Sequence, residues 1–319
     1  MGRRGGGHQG PDGLVVVDKP AGWTSHDVVA KSRGLLGTRK VGHAGTLDPD
    51  ATGVLLLGVG RATKLLRYLS PLGKSYVGEV VLGTETSTLD AAGEVTATHD
   101  MAGTTLAEVQ AAATRFVGDI EQVPPMVSAV KVDGKRLHEL ARQGIEVERA
   151  PRPVTVHHLE VTAGPPDEPG VFTLHVSCSS GTYVRTLAAD IGSALGGGAH
   201  LRNLRRTSVG PYTLDDAVAL EGVGPDVVRP MVEAVRHLSS TTVDAEVAEA
   251  VAVGKVLEAE ALGVTGPGPW AVLGPGHELL AVYEPFRGTT VKPSLVIPPL
   301  APAPVDPVAA AEPDPAPPA

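Results

Sequence analysis

The sequence predicts an α+β fold, with several strands and interspersed helices followed by a small C-terminal domain. Apolar and alternating segments typical of strands recur along the chain. Helical patterns lie between them without a regular βαβ alternation, which argues against a doubly wound parallel sheet. The composition shifts around residues 223–225, and short elements punctuated by Gly and Pro follow. A chain of 319 residues is long enough for such a two-domain arrangement.

Strands are predicted where short runs are apolar or alternate between apolar and polar residues. Residues 54–57 form a continuous apolar run, which is typical of a buried strand, whereas residues 76–82 alternate. An Asp-Gly turn at residues 133–134 follows another such segment. The strands predicted in this way are residues 14–17, 54–57, 76–82, 126–132, 154–161, 171–177 and 200–209.

Helices are predicted where an apolar period of 3.6 residues follows a capping residue. Thr24 or Ser25 caps the first helix, and Gly37 ends it. Thr105 and Glu108 have the spacing of a capping box before a further helix. The predicted helices are residues 24–36, 62–69, 106–117, 136–143 and 182–195.

Charge is distributed unevenly along the chain. Residues 1–213 hold 22 basic and 21 acidic side chains, a net of +1, whereas residues 214–319 hold 5 and 15, a net of −10. A local basic cluster can bind phosphate even in an acidic protein, although such clusters are also ordinary solvated faces. The clusters are Arg39-Lys40, Arg61/Lys64/Arg67, Lys131/Lys135/Arg136 and Arg202/Arg205/Arg206.

Several classes of protein are disfavoured by composition. No run of 18 apolar residues occurs, so no membrane span is predicted, and no apolar region follows the N-terminal Gly/Arg segment as in a signal peptide. Cys178 is the single cysteine, which excludes an internal disulfide and a multi-cysteine zinc site. The histidines lack ligand spacing, so no metal is expected. We therefore expect a cytoplasmic protein without a membrane partner.

Residues 42–53 form a polar loop with three glycines ahead of the apolar run at 54–57. Asp48 precedes Pro49, which disfavours a helical conformation at Asp48. One interpretation is a reactive carboxylate presented from a stiff loop. The alternative is a turn initiated by an Asx-type hydrogen bond of the Asp48 side chain, and spacing alone favours this turn.

Three further features leave alternatives open. Tyr76 alternates with apolar strand residues, so it is either a core tyrosine or part of a site. Arg185 lies in an apolar helical segment, where an arginine needs a carboxylate or phosphate partner. Gly58-Val59-Gly60 follows a strand like a dinucleotide fingerprint, but the third glycine is absent.

Separated blocks of the sequence resemble, in order, those of the bacterial tRNA pseudouridine synthases of the TruB family. The resemblance runs from about residue 13 to residue 297. Each block alone is weak, whereas eight in order are specific. The blocks are 18–25 (DKPAGWTS), 43–53 (HAGTLDPDATG), 62–64 (ATK), 74–76 (KSY), 122–131 (QVPPMVSAVK), 141–144 (ARQG), 178–186 (CSSGTYVRT) and 200–206 (HLRNLRR).

The resemblance implies roles for particular residues. It implies that Asp48 is the essential carboxylate, that Arg185 is its ion-pair partner, and that Tyr76 stacks on the target base and could act as a general base. The further residues that it implies in nucleotide binding are His43, Lys64, Tyr183 and Leu204. Ala44 departs from the Thr or Gly more usual in the family.

The implied domains are a mixed-sheet pseudouridine synthase catalytic domain with a thumb-like insertion and a small PUA-like domain. Their expected bounds are 13–230 and 231–300, between a disordered extension at 1–12 and a Pro/Ala-rich disordered tail at 301–319. The acidic C-terminal third departs from what an RNA-binding domain suggests.

The implied activity is isomerisation of uridine 55 in the TΨC loop of tRNA to pseudouridine, after the base is flipped out. It requires neither a redox step nor a group donor, so no cofactor is expected. Asp48 either attacks C1′ or removes a sugar proton, and both routes require an ionised carboxylate. We expect a monomer whose partner is the T-arm of tRNA.

Three other hypotheses remain open at this stage. The chain could be an RNA-binding or tRNA-folding module that retains the fold, or a guide-RNA-dependent relative that acts on ribosomal RNA. A nucleotide-binding dehydrogenase, suggested by Gly58-Val59-Gly60, is the most distant.

Overall fold

The computed structural model of the chain describes residues 10–126, 131–132, 135–136, 145 and 147–298. The chain divides into two compact units, residues 1–237 and residues 238–319. The division falls seven residues beyond the domain boundary that the sequence suggests. The predicted tail and residues 1–9 of the predicted N-terminal extension lie outside the described residues.

The first unit is built on a ten-stranded mixed sheet, as the α+β pattern predicts. Its main path runs β14-β1-β3-β12-β4-β11-β10-β7, with β2 paired to β3 and β13 paired to β12. Most pairs are antiparallel, but β1 with β14 and β3 with β12 are parallel. The strands of this sheet are β1 (Gly13–Lys19), β2 (Val41–Ala44), β3 (Thr52–Val59), β4 (Lys74–Leu82), β7 (Gly118–Gln122), β10 (Arg152–Ala163), β11 (Val171–Cys178), β12 (Ala199–Val209), β13 (Tyr212–Thr213) and β14 (Val218–Ala219).

Two short hairpins complete the strands of the first unit. One pairs β5 (Thr84–Thr86) with β6 (Val95–Thr98), and the other pairs β8 (Lys131–Val132) with β9 (Lys135–Arg136). The helices of this unit are α1 (Ser25–Leu35), α2 (Leu66–Leu69), α3 (Leu106–Ala113) and α4 (Val184–Ala194).

The helix ends follow the local signals in the sequence. Thr24 caps α1 with a complete capping box, and Gly37 adopts a left-handed φ of 61° just beyond it. Thr105 and Glu108 form the predicted capping box of α3. The predicted helix at 62–69 is a 3₁₀ segment, Gly60–Leu65, that continues into α2.

Strand β4 lies between β11 and β12, where it can place side chains at the centre of the sheet. Its residues alternate between buried and half-buried, and Lys74 and Tyr76 belong to the buried set. In a pleated strand such i and i+2 residues point to the same face. Across the β4–β12 ladder, Tyr76 pairs with Arg206. Consequently Lys74, Tyr76 and Arg206 lie close together.

Strand β12 is irregular beside this cluster. Its register to β4 shifts between Arg202 and Arg205, and Asn203 has a left-handed φ of 52°. Asn203 tolerates this conformation better than most residues, and its side-chain amide donates to Glu79 at 2.9 Å. The bulge determines how Leu204 is presented on this part of the strand.

The second unit is a five-stranded sheet in the order β15-β17-β18-β19-β16, with two helices. Its core includes Trp270, Val272 and Tyr283. The PUA-like character suggested for this unit stays a prediction. The elements of this unit are β15 (Ser239–Thr242), α5 (Ala245–Ala252), β16 (Leu257–Glu258), α6 (Ala259–Leu262), β17 (Trp270–Leu273), β18 (Leu279–Pro285) and β19 (Thr290–Val296).

Some elements differ from the sequence prediction. The polar loop is shorter than expected, because residues 42–44 belong to β2 and residues 52–53 to β3. Met126 lies in a bend rather than in a strand, and Arg136 lies in β9 rather than at the start of a helix. The rest of the predicted helix 136–143, residues 127–130 and the turn at 133–134 lie outside the described residues.

Candidate active site

Asp48 lies in the loop that joins β2 to β3. Its carbonyl accepts a hydrogen bond from the Ala51 amide at 3.2 Å, so the loop does turn at this point. The turn is closed by backbone groups, however, and the Asp48 carboxylate instead points to a different element. The interpretation of its side chain as an Asx turn former is therefore wrong.

The Asp48 carboxylate is held by Arg185 in the first turn of α4. Arg185 Nε lies 3.0 Å from Asp48 Oδ2, and Nη2 donates to Oδ1 at 3.2 Å. This two-point contact fixes the plane of the carboxylate and requires both oxygens as acceptors, as in the ionised form. The Arg185 side chain is 5% exposed, whereas that of Asp48 is 41% exposed. The buried guanidinium thus holds the Asp48 carboxylate, while part of the carboxylate stays exposed.

A second carboxylate also holds Arg185. Nη1 lies 3.2 Å from Asp90 Oδ2 and donates to the Thr88 carbonyl at 2.9 Å. Between these residues, Leu89 has a left-handed φ of 63°, which is uncommon for a leucine. The segment 88–90 therefore bears backbone strain while it satisfies the buried guanidinium.

Burial and charge have opposite effects on Asp48. Burial raises the pKa of Asp48 above that of an ordinary aspartate, the guanidinium of Arg185 lowers it, and the neighbouring Asp90 raises it again. The net direction is upward. A carboxylate with a raised pKa is a stronger base and nucleophile than an ordinary one, while the contact with Arg185 favours its ionised form.

Asp48 and Arg185 form part of the wall of a cavity of about 260 Å³. This volume is just below the range of about 300–1,000 Å³ typical of small-molecule pockets, and suits a single nucleoside. Tyr76, Tyr183 and Leu204 also line it, which brings together five of the seven site residues named from the sequence. The other lining residues are Gly45, Thr46, Leu47, Ser70, Lys74, Ser180, Gly181, Thr182, Val184 and Arg206.

Tyr76 is both a core residue and a cavity residue. It is 9% exposed and belongs to the main hydrophobic cluster, yet it also lines the cavity. Burial raises the pKa of its phenol, so the ring is neutral at physiological pH. A neutral aromatic ring in this position offers a face for stacking.

His43 and Lys64 do not line this cavity. His43 lies on β2, where its ring makes an edge-on contact with His26 at 5.3 Å between centroids. Burial is the main cause that lowers the pKa of His43 to about 4, so its imidazole is neutral at physiological pH. Lys64 is exposed on the 3₁₀ segment before α2.

Two buried cations hold the loop of Asp48 from either side. Arg206 is fully buried and donates to the carbonyls of Val54 at 2.7 Å and Gly45 at 3.0 Å. Lys19 is also fully buried, and its ammonium donates to the Pro49 carbonyl at 2.8 Å. Lys19 was not singled out from the sequence, and Arg206 was named only as a member of a basic cluster.

The interpretation of Arg202, Arg205 and Arg206 as a phosphate-binding cluster is wrong for Arg206, which is fully buried, and stays a prediction for the other two residues. Arg202 pairs with Glu79 and Glu168, each at 2.7 Å, and Arg205 pairs with Asp18 at 2.7 Å. Arg206 is bonded to carbonyls inside the protein. The three charges are used within the fold.

Comparison with known proteins identifies the family to which the chain belongs. Residues 33–184 match the family model of the N-terminal domain of TruB family pseudouridylate synthases, and residues 185–234 match that of the tRNA pseudouridylate synthase B C-terminal domain. The chain belongs to the TruB family of pseudouridylate synthases. Both matches fall within the first structural unit.

Two curated relatives are both named tRNA pseudouridine synthase B. The protein from Arthrobacter sp. (strain FB24) is 46% identical over 90% of this chain and 97% of its own length. The protein from Rhodococcus jostii (strain RHA1) is 49% identical over 90% of this chain and 94% of its own length.

Solved structures share the fold. A Cbf5-Nop10-Gar1 complex contains a chain with 28% identity and a TM-score of 0.69, which matches over 90% of this chain and 85% of that one. The structure of an H/ACA RNP bound to a substrate RNA containing 2′-deoxyuridine contains a chain with 25% identity and a TM-score of 0.68. The match again covers 90% of this chain and 85% of that one. Neither likeness supports the dehydrogenase hypothesis.

The described part of the chain shows neither a candidate metal site nor a candidate membrane-spanning helix. Its His, Cys, Asp and Glu side chains form no cluster of three or more that could hold a metal ion. None of its helices is long and apolar enough to span a membrane.

We predict that Arg185→Met raises the pKa of Asp48 further, by about one to three pH units, because it removes the cation that opposes burial. The measurement is a ¹³C NMR titration of labelled aspartate carboxyls. Asp216, whose pKa is held at about 2 with help from other arginines, serves as the internal control. An unchanged pKa of Asp48 would show that Arg185 does not set its charge.

Proposed function

We propose that this protein isomerises uridine to pseudouridine in tRNA, at position 55 of the TΨC loop. The observation that carries the proposal is the Asp48 carboxylate, anchored by Arg185 at the wall of a nucleoside-sized cavity that Tyr76 also lines. Family membership supports the reaction class, and the names of the curated relatives support tRNA as the substrate.

The target base must leave the folded RNA to reach this cavity. Flipping exposes a base face that an aromatic or apolar side chain can cover. Tyr76 provides the aromatic face, while Leu204, presented by the bulge of β12, provides an apolar one. His43, neutral and on strand β2 ahead of the Asp48 loop, is suited to occupy the space that the flipped base leaves in the RNA.

Asp48 is then directed at the sugar. The exposed part of its carboxylate can attack C1′, with a covalent intermediate as the result, or it can remove a proton from C2′ and allow elimination. In both routes the N1–C1′ bond breaks, the base turns, and C5 bonds to C1′. The raised pKa of Asp48 favours either role, since both require a basic carboxylate.

A larger cavity adjoins the first. It has a volume of about 490 Å³ and shares Asp48, Arg185 and Leu204 with the smaller one. Its further lining includes Pro49 and Leu201. This space beside the reactive carboxylate provides room for nucleotides next to the target.

Exposed cations near β2 provide phosphate contacts. Arg39 and Lys40 precede β2, and Lys64 and Arg67 lie on the helical segment after β3. The two groups are neighbours, because the Gly60 amide donates to the Lys40 carbonyl at 2.7 Å. RNA backbones are bound by such patches largely through charge.

The remaining expectations belong to the same proposal. One chain provides all the residues assigned to the reaction, so we propose that the enzyme works as a monomer in the cytoplasm. The reaction needs no cofactor, because it neither oxidises nor reduces the substrate. The PUA-like assignment of the second unit also belongs here.

The direct test uses tRNA transcripts that carry uridine tritiated at C5. Bond formation at C5 displaces this hydrogen, so tritium release reports turnover, and chemical mapping locates pseudouridine. We predict activity at position 55 for the wild type and a loss on the order of 10⁴-fold for Asp48→Asn with tRNA binding retained. Asp226→Asn, the same change at an exposed site, keeps full activity.

The outcomes separate the hypotheses. A wild type that is inactive on tRNA alone would contradict the proposal and favour a guide-RNA-dependent enzyme. Full turnover by Asp48→Asn would contradict the role of the carboxylate. Binding or folding of tRNA by an inactive wild type would favour the binding module.

Substrate binding is predicted to weaken with salt. For Lys40→Ala and Lys64→Ala, we expect weaker tRNA binding and a slope of log affinity against log salt that is smaller by about 0.7–0.9 for each phosphate that the variant no longer neutralises. Lys292→Ala is the matched control, because Lys292 is paired with Glu284 at 3.2 Å. Slopes equal to that of the wild type in both test variants would place the phosphate contacts elsewhere.

A further inference from the structure

Two buried cations beside the cavity have no carboxylate partner. Lys74 is 6% exposed and Arg206 is fully buried, and both line the cavity of about 260 Å³. In the described part of the chain, neither forms an ion pair with an Asp or Glu. A buried charge is costly unless something compensates it. The location of this excess positive charge therefore requires an explanation.

Lys74 lines the cavity, and its hydrogen bonds leave part of its donor capacity unused. Its ammonium donates to the carbonyls of Ser70 at 2.9 Å and Leu72 at 2.6 Å. A lysine has three N–H donors, so one remains. Ser70 itself lines the cavity, and Tyr76 lies two residues along the same face of β4, at a spacing of about 7 Å between Cα atoms.

Arg206 is the second buried cation beside the cavity. Arg206 lies on β12, where it pairs with Tyr76 of β4, and its guanidinium donates to the carbonyls of Gly45 and Val54. Because its guanidinium is fully buried and bonded to backbone carbonyls, we assign it no hydrogen bond to the substrate. Its charge adds positive potential close to Lys74. Burial is the larger cause that lowers the pKa of Lys74 to about 8, and the charge of Arg206 lowers it as well.

The proposed reaction generates an anion at this place. When the N1–C1′ bond breaks, its electron pair stays on the base, and the charge spreads over N1, O2 and O4 of uracil. C1′ becomes bonded to the Asp48 carboxylate, or the sugar loses its C2′ proton to that carboxylate. C5 of the anion then forms the new bond to C1′, while the bond from C1′ to Asp48 breaks or Asp48 returns its proton to C2′. C5 finally loses its proton and N1 gains one.

We propose that Lys74, supported by the charge of Arg206, stabilises the uracil anion between cleavage of the old bond and formation of the new one. The inference rests on the proposed function, since it concerns the leaving base of that reaction. Lys74 is then a catalytic residue that touches the base, and Arg206 is a positioning residue. Fixed donors aimed at developing charge are among the strongest contributions to catalysis.

Lys19 is a second buried lysine in this fold, and its hydrogen bonds differ from those of Lys74. Its ammonium donates to three carbonyls, those of Pro20, Trp23 and Pro49, at 2.6–2.9 Å, so all three donors are used. Lys19 does not line the cavity. Lys74 differs in both respects, which argues that its charge has a use beyond holding the backbone.

The test compares two substrates in single turnovers. One tRNA carries uridine at the target position, and the other carries 5-fluorouridine, whose fluorine withdraws electrons and makes uracil a more stable anion. The readout is loss of the N1-linked nucleoside, so later steps at C5 do not enter. The variants are Lys74→Met, Lys74→Arg and, as the matched control, Lys19→Met, each checked for folding by its thermal transition.

With uridine, we expect Lys74→Met to be slower than the wild type by about 10²- to 10³-fold, as when one oxyanion donor is removed. With 5-fluorouridine the deficit shrinks, and Lys74→Arg restores much of the rate with both substrates. Lys19→Met loses equal factors with the two substrates, because its lysine acts on Asp48 and its loop and not on the base.

Equal deficits of Lys74→Met with the two substrates would overturn the inference, and so would a rate equal to that of the wild type. If Lys74→Met does not fold, the comparison rests on Lys74→Gln, for which the same outcomes hold. A wild type that leaves both tRNAs unchanged would instead contradict the proposed function.

Discussion

The contact between Arg185 and Asp48 is the interaction on which the rest of the site depends. A guanidinium that is 5% exposed cannot stay in the first turn of α4 without acceptors, because an uncompensated buried charge costs several kcal/mol. Asp48, Asp90 and the Thr88 carbonyl provide them. The same contacts bring two separate segments to one helix end. Formation of the fold and orientation of the reactive carboxylate are therefore one event.

Several buried cations hold the parts of this site in place. Arg185 holds the Asp48 side chain, whereas Arg206 and Lys19 hold the backbone before and after it through carbonyls. Lys74 completes the group at the cavity. A loop fixed from several elements loses little entropy when substrate arrives, which favours reaction from one geometry. The positive field also favours the ionised form of Asp48 despite its burial.

Local sequence signals predicted the elements well, but not the buried cations. The capping boxes at Thr24 and Thr105 and the alternation of β4 act over a few residues, so they can be recognised in one sequence. The need of Arg185 for a carboxylate also followed from its apolar setting. Arg206 is buried only because β12 pairs with β4 across more than a hundred residues, and no local pattern reveals that. The same long-range pairing explains why the phosphate interpretation is wrong for Arg206.

The most direct measurement of the central claim is a crystal structure of Asp48→Asn bound to a T-arm stem-loop. The substitution keeps the shape of the side chain and removes the reaction. The account predicts a flipped uridine whose C1′ lies about 3–3.5 Å from the residue-48 side chain, with its base against Tyr76 and Leu204. A uridine that remains stacked in the RNA, or one bound with its sugar away from residue 48, would contradict the account.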